Sequence, residues 1–581
     1  MFATREFHAT DNIFILAFLI NQWVINRIEE KSTSNHTPPI THPLLQKLKL
    51  FISLFFGNFP IAFQSISNAI TRLLYLGLSV LIGQSFGTYW VPIAASFFTN
   101  AFSITDPIFK KDVSFYVFQL PVLNTALAFL TAILLCLILV SLWQYAKRRC
   151  LPLTFSPTFR HVRGHLFTLV AVFFMIQAVR SFLSKYQILF NHNDIIFGAG
   201  FTDATVYLPI IGFMPILWLA MAALALAFIA RPKLKPLLIG TVAIIAFQFV
   251  GLAMLPRVIQ QLVVSPNEFK KETQYIQHNI EFTQRAYGLK GMTEVAIDYK
   301  KEPSSFNTTD FHTTLQNVRL WNPEPLKSTL KQLQEIRLYY EFKSVDVDRY
   351  LINNTPQQVM LSVRELDVNQ MSSKAQTWIN KRLMFTHGYG LCMVPVNQFN
   401  SEGLPELMIR DIPPVSHSDI HIQQPEVYFG EATNHYVIAN TKQKEFDYPK
   451  DNANRYTYYT GSGGIQLNSF FKRLLYAIRL NDFKLLISQN IHSKSRLMMD
   501  RNVHVIPKKI TPFITYDTDP YIVVSSNGRL IWMVDGYTLS EKFPYSTPYS
   551  SRINYIRNSV VATIDAYSGK TMFYMKDPND P

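Results

Sequence analysis

Apolar residues gather in long runs through the first 258 positions, whereas beyond them polar and charged residues intermix as in a chain folded in water. An α-helix rises only about 1.5 Å per residue, so crossing hydrocarbon takes roughly 20 mainly apolar residues. Runs at about 69–88, 119–143, 166–187, 207–230 and 236–256 meet that length. A shorter run, Ile13 to Ile25, is interrupted by Asn21 and Gln22. Glu29, Glu30 and Lys31 follow it instead of a small-residue cleavage site, so it reads as a marginal span. The stretch 44–62 mixes Lys47 and Lys49 with Phe, Leu, Gly57 and Pro60, which suits an interfacial helix.

Past residue 258 the periodicity changes. NEFKKETQYIQHNIEFTQR (267–285) predicts an amphipathic helix, and further helices are expected at 325–342 and 372–383. Helical and apolar periodicities continue at 470–478 and 482–487. Asn527-Gly528 and Ser568-Gly569 each sit between β-rich runs, as hairpin turns do. The predicted fold is an α-helical transmembrane bundle of about six spans (1–258), followed by a large α+β extracytoplasmic domain (259–581) that ends in antiparallel hairpins.

Charge supplies the orientation. Before residue 257 there are 18 Lys and Arg against 8 Asp and Glu, and from there onwards 37 against 32. The early excess lies mainly in short loops, with Lys147, Arg148, Arg149, Arg160 and Arg163 after one span and Arg231, Lys233 and Lys235 in the tight turn before the last. By the positive-inside rule these loops face the cytoplasm and the chain after 258 faces the exterior, in the plasma membrane. A nucleic-acid binder would concentrate its basic charge in the soluble part, which is not the pattern here. Tyr89, Trp90 and the FYVF run ending at Phe118 are expected as an outer aromatic belt, Trp143 and Tyr145 as an inner one. Arg180 and Lys185, near the outer end of a span, are expected to snorkel rather than mark an ion pathway, and Asn124 and Gln248 to bond between helices. Cys136, Cys150 and Cys392 have neither disulfide-framework nor metal spacing, so each reads as an inert thiol.

Few residues carry readable chemistry. His417, Asp419 and His421 alternate in HSDIHI, and in a strand they would share one face as a start for a zinc or copper site. The alternative is a polar strand or loop after Pro413-Pro414. GSGG (461–464) lacks a following GK[ST] and reads as a tight turn after YTYYT. In THGYG (386–390) the glycines permit positive φ or a close backbone approach, and His387 would need a partner to be catalytic. Asp346 and Asp348 in VDVDRY lack the remaining calcium-loop ligands and read as a surface ion pair with Arg349. The mixed charges of NTKQKEFDYP (Lys442, Lys444, Glu445, Asp447) suit a solvated face or an interaction patch.

Several strings occur in an order that carries a resemblance: SITDPIFKKDVSFYVFQLP, IFGAGFTDA, SPNEFKKETQYIQHNIEFTQRAYGL, NVRLWNPEPL, QVMLSVREL, TWINKRLMFTHGYG, PEVYFGE, NTKQKEFDYP and NYIRNSVVATIDAYSGK. The chain resembles a bacterial family of large multi-pass membrane proteins known only by an uncharacterised-protein-family label. The resemblance implies a plasma-membrane bundle of about seven helices with a large external domain, and assigns no catalytic residue. It also implies further segments at both ends. The functional expectation is a non-enzymatic membrane protein, without a cofactor, whose external domain binds an envelope protein, peptidoglycan or lipid. The rivals are an envelope enzyme using His387 or Asp346 in a cleft, and a transporter or channel component.

Overall fold

The computed structural model describes residues 17, 19–25, 27, 77, 83–84, 87–147, 160–192, 195–230, 234–296, 312–450, 453–550 and 552–577. They fall into two compact units, one of Met1–Gly291 with Ser540–Tyr555, the other of Met292–Leu539 with Ile556–Asp580. The expected interfacial helix at 44–62 lies outside the described residues, and the expected span at 69–88 is described only at scattered positions.

The first unit is helical. After a short helix α1 (Trp90–Phe97) come α2 (Leu120–Lys147), α3 (Arg160–Ser184), α4 (Leu208–Ala227) and α5 (Leu234–Gln248). Beyond α5 the chain continues through wider turns into α6 (Glu268–Ala286). By length and composition four of the described helices are able to cross a bilayer: 115–146, 161–190, 203–227 and 235–286. Leu139, Phe182, Ile216 and Leu238 are exposed on them, the orientation that apolar side chains take where the solvent is lipid. Between α3 and α4 a core of Phe174, Trp218, Met221 and Ala225 is buried.

Polar residues inside this unit find partners. Asn21 and Gln22, which interrupt the first apolar run, meet α2: Ser141 Oγ donates to Asn21 Oδ1 at 3.2 Å, and Gln144 Nε2 to Gln22 Oε1 at 2.7 Å. Among the described residues these interhelical side-chain bonds are made there, with none at Asn124 or Gln248. Tyr145 was expected in a lipid-facing belt, yet it is buried because its hydroxyl bonds His165 Nδ1 at 2.9 Å. Tyr116 of FYVF likewise turns inward and donates to the buried Asp106 at 2.8 Å, whereas Tyr89, Trp90 and Trp143 stay exposed. Lys185 places its ammonium 3.8 Å from the Phe182 ring centroid, so ring faces receive it.

Residues 540–555 return to this unit as a plug. Tyr545 donates its amide to Leu189 O (3.2 Å) and its hydroxyl to Ala199 O (3.0 Å), while Asn279 Nδ2 donates to Tyr545 O (2.7 Å). A Cβ at Gly198 would stand 2.3 Å from the Tyr545 ring, so only glycine leaves room for it.

The second unit is sheet-rich. Helix α7 (Pro323–Gln334) is capped by Asn322, whose side chain accepts from the Glu324 amide. It precedes β1 (Tyr340–Phe342), β2 (Asp346–Ile352) and β3 (Thr355–Leu366). Both β1 and β2 pair antiparallel with β3, and β4 (Leu391–Pro395) pairs with its other edge. Central β3 is buried on both faces: Val359, Leu361 and Val363 enter one core, Met360 another. A smaller sheet contains β5 (Val437–Ala439), β6 (Ile465–Gln466) and β7 (Arg496–Met498), with β7 in the middle. Strands β8 (Tyr521–Val524), β9 (Leu530–Ser540), β10 (Tyr555–Asp565) and β11 (Thr571–Met575) form the closing meander. Gly528 and Gly569 take φ of +70° at the two expected turns. Trp532, Ile522 and Ile564 of this meander share a core with β3 and β4.

The helix expected at 325–342 stops at Gln334. Buried Arg364 on β3 caps it, Nε donating to Gln334 O at 2.8 Å and Nη2 to Gln334 Oε1 at 2.7 Å, and Ile336 turns to φ +63°. The segment 372–383 is likewise only short turns of helix, Ser373–Ala375 and Asn380–Met384.

Candidate functional site

Beside the smaller sheet of the second unit lies an open groove of about 720 Å³. Its lining includes Lys442, His492, Lys494 and Arg496, with Tyr458, Tyr459, Gln466 and Gly461, and among the described residues no carboxylate. The strand order explains the convergence. Gln466 on β6 and Ala439 on β5 both pair with Arg496 on β7, so the residues just past these strands meet at one end of the sheet.

Several bonds hold the walls. Buried Ser495 donates its hydroxyl to Asn440 O at 2.9 Å and accepts from the His492 amide at 3.0 Å. Arg496 Nη1 donates to the Gly463 and Gly464 carbonyls at 3.1 and 3.2 Å. The GSGG segment bends over Tyr459, whose hydroxyl accepts from the Gly463 amide at 2.9 Å. A Cβ at Gly463 would meet Ser568 O at 2.1 Å, which only a glycine avoids.

Glu445 underlies the groove. It is fully buried, which corrects, at this residue, the reading of NTKQKEFDYP as a solvated face or an interaction patch. Its Oε1 accepts from the Asn440 and Tyr459 amides at 2.9 and 3.0 Å, one in each wall. Its Oε2 accepts from Thr386 Oγ1 at 2.6 Å and Tyr428 Oη at 2.8 Å. Burial nonetheless raises its pKa. Asp447 nearby is pushed up to about 7 by burial, with Glu426 and Glu445 adding to it.

Below this lies a sealed polar network. Arg501 donates to three backbone carbonyls, Tyr428 (2.6 Å), Thr386 (2.6 Å) and His435 (3.1 Å), and burial lowers its pKa to about 10. Glu365 accepts from the Glu431 and Ala432 amides, both at 2.8 Å, and burial raises it to about 7. His387 is 1% exposed, with Nδ1 3.1 Å from Gly388 O, its ring against Tyr428 and no partner for Nε2. Burial, with Arg501 adding, pushes it down to about 4, so it sits as neutral imidazole in the core and opens on no cleft. Its neighbouring glycines are used as expected. A Cβ at Gly388 would meet Arg364 O at 2.1 Å, and Gly390 has φ +69°.

The other sequence candidates are dispersed. His417, Asp419 and His421 are exposed on a bend and the segment after it, not along a strand, and Asp419 accepts from the Asn353 amide at 3.2 Å. Among the described residues no group of three His, Cys, Asp or Glu stands together as a metal site would require. Asp346 is buried, not in a surface ion pair; its carboxylate accepts from the Ile522 amide at 2.9 Å and burial raises its pKa to about 7. Cys392 is buried beneath Arg364, its thiol pushed up to about 11 by burial. Among the topology anchors Lys147 ends α2 and Lys235 is exposed in the first turn of α5, while Arg148, Arg149, Arg231 and Lys233 lie outside the described residues.

A helical unit with bilayer-length apolar helices, joined to a sheet-rich unit bearing a basic groove, defines a class of protein suited to membrane association. The chain belongs to the uncharacterised protein family UPF0182, whose family model matches residues 5–581. It is similar to a UPF0182 protein of Desulforamulus reducens, 41% identical over 516 residues that cover 88% of this chain and 55% of the relative. Another, of Pelotomaculum thermopropionicum, is 39% identical over 89% of this chain and 57% of the relative. A UPF0182 protein of Trichodesmium erythraeum is 35% identical over 88% and 59%. The chain therefore spans a little over half the length of these curated relatives. No solved structure matches it.

Proposed function

We propose that this chain is an integral plasma-membrane protein whose sheet-rich unit lies outside the cytoplasm and holds an anionic component of the cell envelope. The observation that carries the reading is the groove, where Lys442, His492, Lys494 and Arg496 converge with no carboxylate among the described lining residues. Clustered cations in a partly enclosed space create a positive potential that a phosphate or carboxylate ligand satisfies, and flanking Tyr458 and Tyr459 offer ring faces to an uncharged portion. Orientation is supported by the loop charges, rich at 147–163 and 231–235 and sparse in the alternate loops.

Two measurements test it. Titrating the purified full chain with glycerol phosphate and with a soluble muropeptide separates phosphate from carboxylate recognition. Lys442→Glu with Lys494→Glu, both at exposed positions, should weaken binding of the preferred ligand by about tenfold or more, and salt should weaken the wild type in parallel. Unchanged affinity in the double variant removes the groove from consideration. For orientation, a reporter fused after Lys301 should be active only outside the cytoplasm and one after Lys233 only inside; the reverse result overturns the placement.

A further inference from the structure

Helix α8 (Phe470–Arg479) has two apolar faces and only one is used internally. Its inner face sends Ala477, with Tyr476 and Leu480, into a core that includes Ile438, Leu467 and Leu497. Its outer face carries Phe470, Phe471, Leu475 and Ile478, exposed by 71, 65, 49 and 61%. The one-turn helix α9 (Lys484–Ile487) extends the strip, with Phe483 at 60% and Ile487 at 77%. Single exposed apolar residues are ordinary on protein surfaces, but a contiguous strip of six large ones marks a surface that is normally covered.

The charges around the strip say by what. Lys472, Arg479 and Lys484 are exposed beside it. Two acids lie near it: Asp482, whose carboxylate is occupied by Trp378 Nε1 and the Tyr436 hydroxyl, and Asp500, which lines a pocket with Arg479 and Leu480 and is paired with Lys509 at 2.6 Å. A cationic rim around aromatic and aliphatic side chains on a short helix is the composition that lies in a lipid interface, the rings among the acyl ends and the cations on headgroup phosphates. The same chain carries four described helices of bilayer-crossing length.

We infer that residues 470–487 form an interfacial element that docks on a bilayer surface bearing anionic headgroups. The inference rests on the membrane reading above and adds a second lipid contact made by the sheet-rich unit itself. It is distinct from the groove, whose ligand enters a polar cavity.

The test uses the full chain in nanodiscs containing a photoreactive phospholipid, with lipid adducts mapped by peptide mass spectrometry. Adducts are expected on α4 in any disc, and on 470–487 about tenfold more often in anionic phosphatidylglycerol discs than in neutral phosphatidylcholine. Phe471→Ser with Ile478→Ser should abolish the adducts at 470–487 and leave those on α4. Lys472→Glu with Lys484→Glu should erase the preference for anionic discs. Labelling of α4 without labelling of 470–487 overturns the inference and leaves the membrane reading standing; absence of label on α4 overturns the membrane reading. Photo-crosslinks from 470–487 in cells that reach a second copy, a further segment of a longer chain or another protein, and not lipid, also overturn it.

Discussion

Both carboxylate oxygens of Glu445 are shared between distant stretches of chain, so the residue ties together positions 386, 428, 440 and 459. Glu445→Gln keeps the shape and replaces one acceptor oxygen by a donor that faces other donors. We expect a loss of about 2–4 kcal/mol, by chemical unfolding, and faster amide exchange at 440–442 and 458–461 than in the wild type. Nothing in NTKQKEFDYP announces this, because the partners that make burial tolerable lie far away in sequence. THGYG, by contrast, was legible from glycine stereochemistry alone.

Buried titratable groups give the pH dependence two opposing limbs. His387 titrates near 6.5 when unfolded and near 4 when folded. The unfolded chain therefore takes up the proton first, and stability falls as pH drops from about 6.5 to about 4, by about 3 kcal/mol. His387→Asn should flatten this acid limb. Asp346 is raised to about 7, so its stabilising effect is complete below about pH 4 and is lost as pH rises through 7. Asp346→Asn keeps an acceptor for the Ile522 amide and should be more stable than wild type at pH 8, by about 2 kcal/mol, the difference vanishing near pH 4. Thermal unfolding of both variants across pH 4–8 checks the pair.

Among elements, those set by local pattern were legible: the long apolar helices, α6, α8 and the two glycine-turn hairpins. Where an element ends through a distant residue, the sequence was silent. The last carbonyl of α7 is received by Arg364, some thirty positions on, and the residues past Gln334 turn into β1. Arg364→Ala removes that cap and leaves Gln334 and Cys392 short of a partner, and should cost about 3 kcal/mol or more by chemical unfolding. Asn21 and Gln22 looked like flaws in a marginal span, yet they meet Ser141 and Gln144 on α2. Gln144→Leu should weaken the pairing of these helices by about 1 kcal/mol, measured as lowered detergent-melting stability.

At the scale of the whole molecule, hydropathy and helicity proved to be separate properties. The apolar character fades near residue 258, but the helix from Lys235 runs on to Ala286, its hydrogen bonding passing through wider and then tighter turns between 249 and 267 as the side chains turn from oily to amphipathic. The groove was illegible for the opposite reason: Lys442, Lys494 and Arg496 are unremarkable singly, and only the strand order of the small sheet brings them together.

The plug at 540–555 bears on biosynthesis. In synthesis the first 291 residues precede Tyr545, so its partners at Leu189, Ala199 and Asn279 wait without their tyrosine until residues 540–555 have been made. A nascent chain stalled before Tyr545 would expose an unfilled aromatic recess, the kind of feature that quality-control proteases and membrane chaperones recognise.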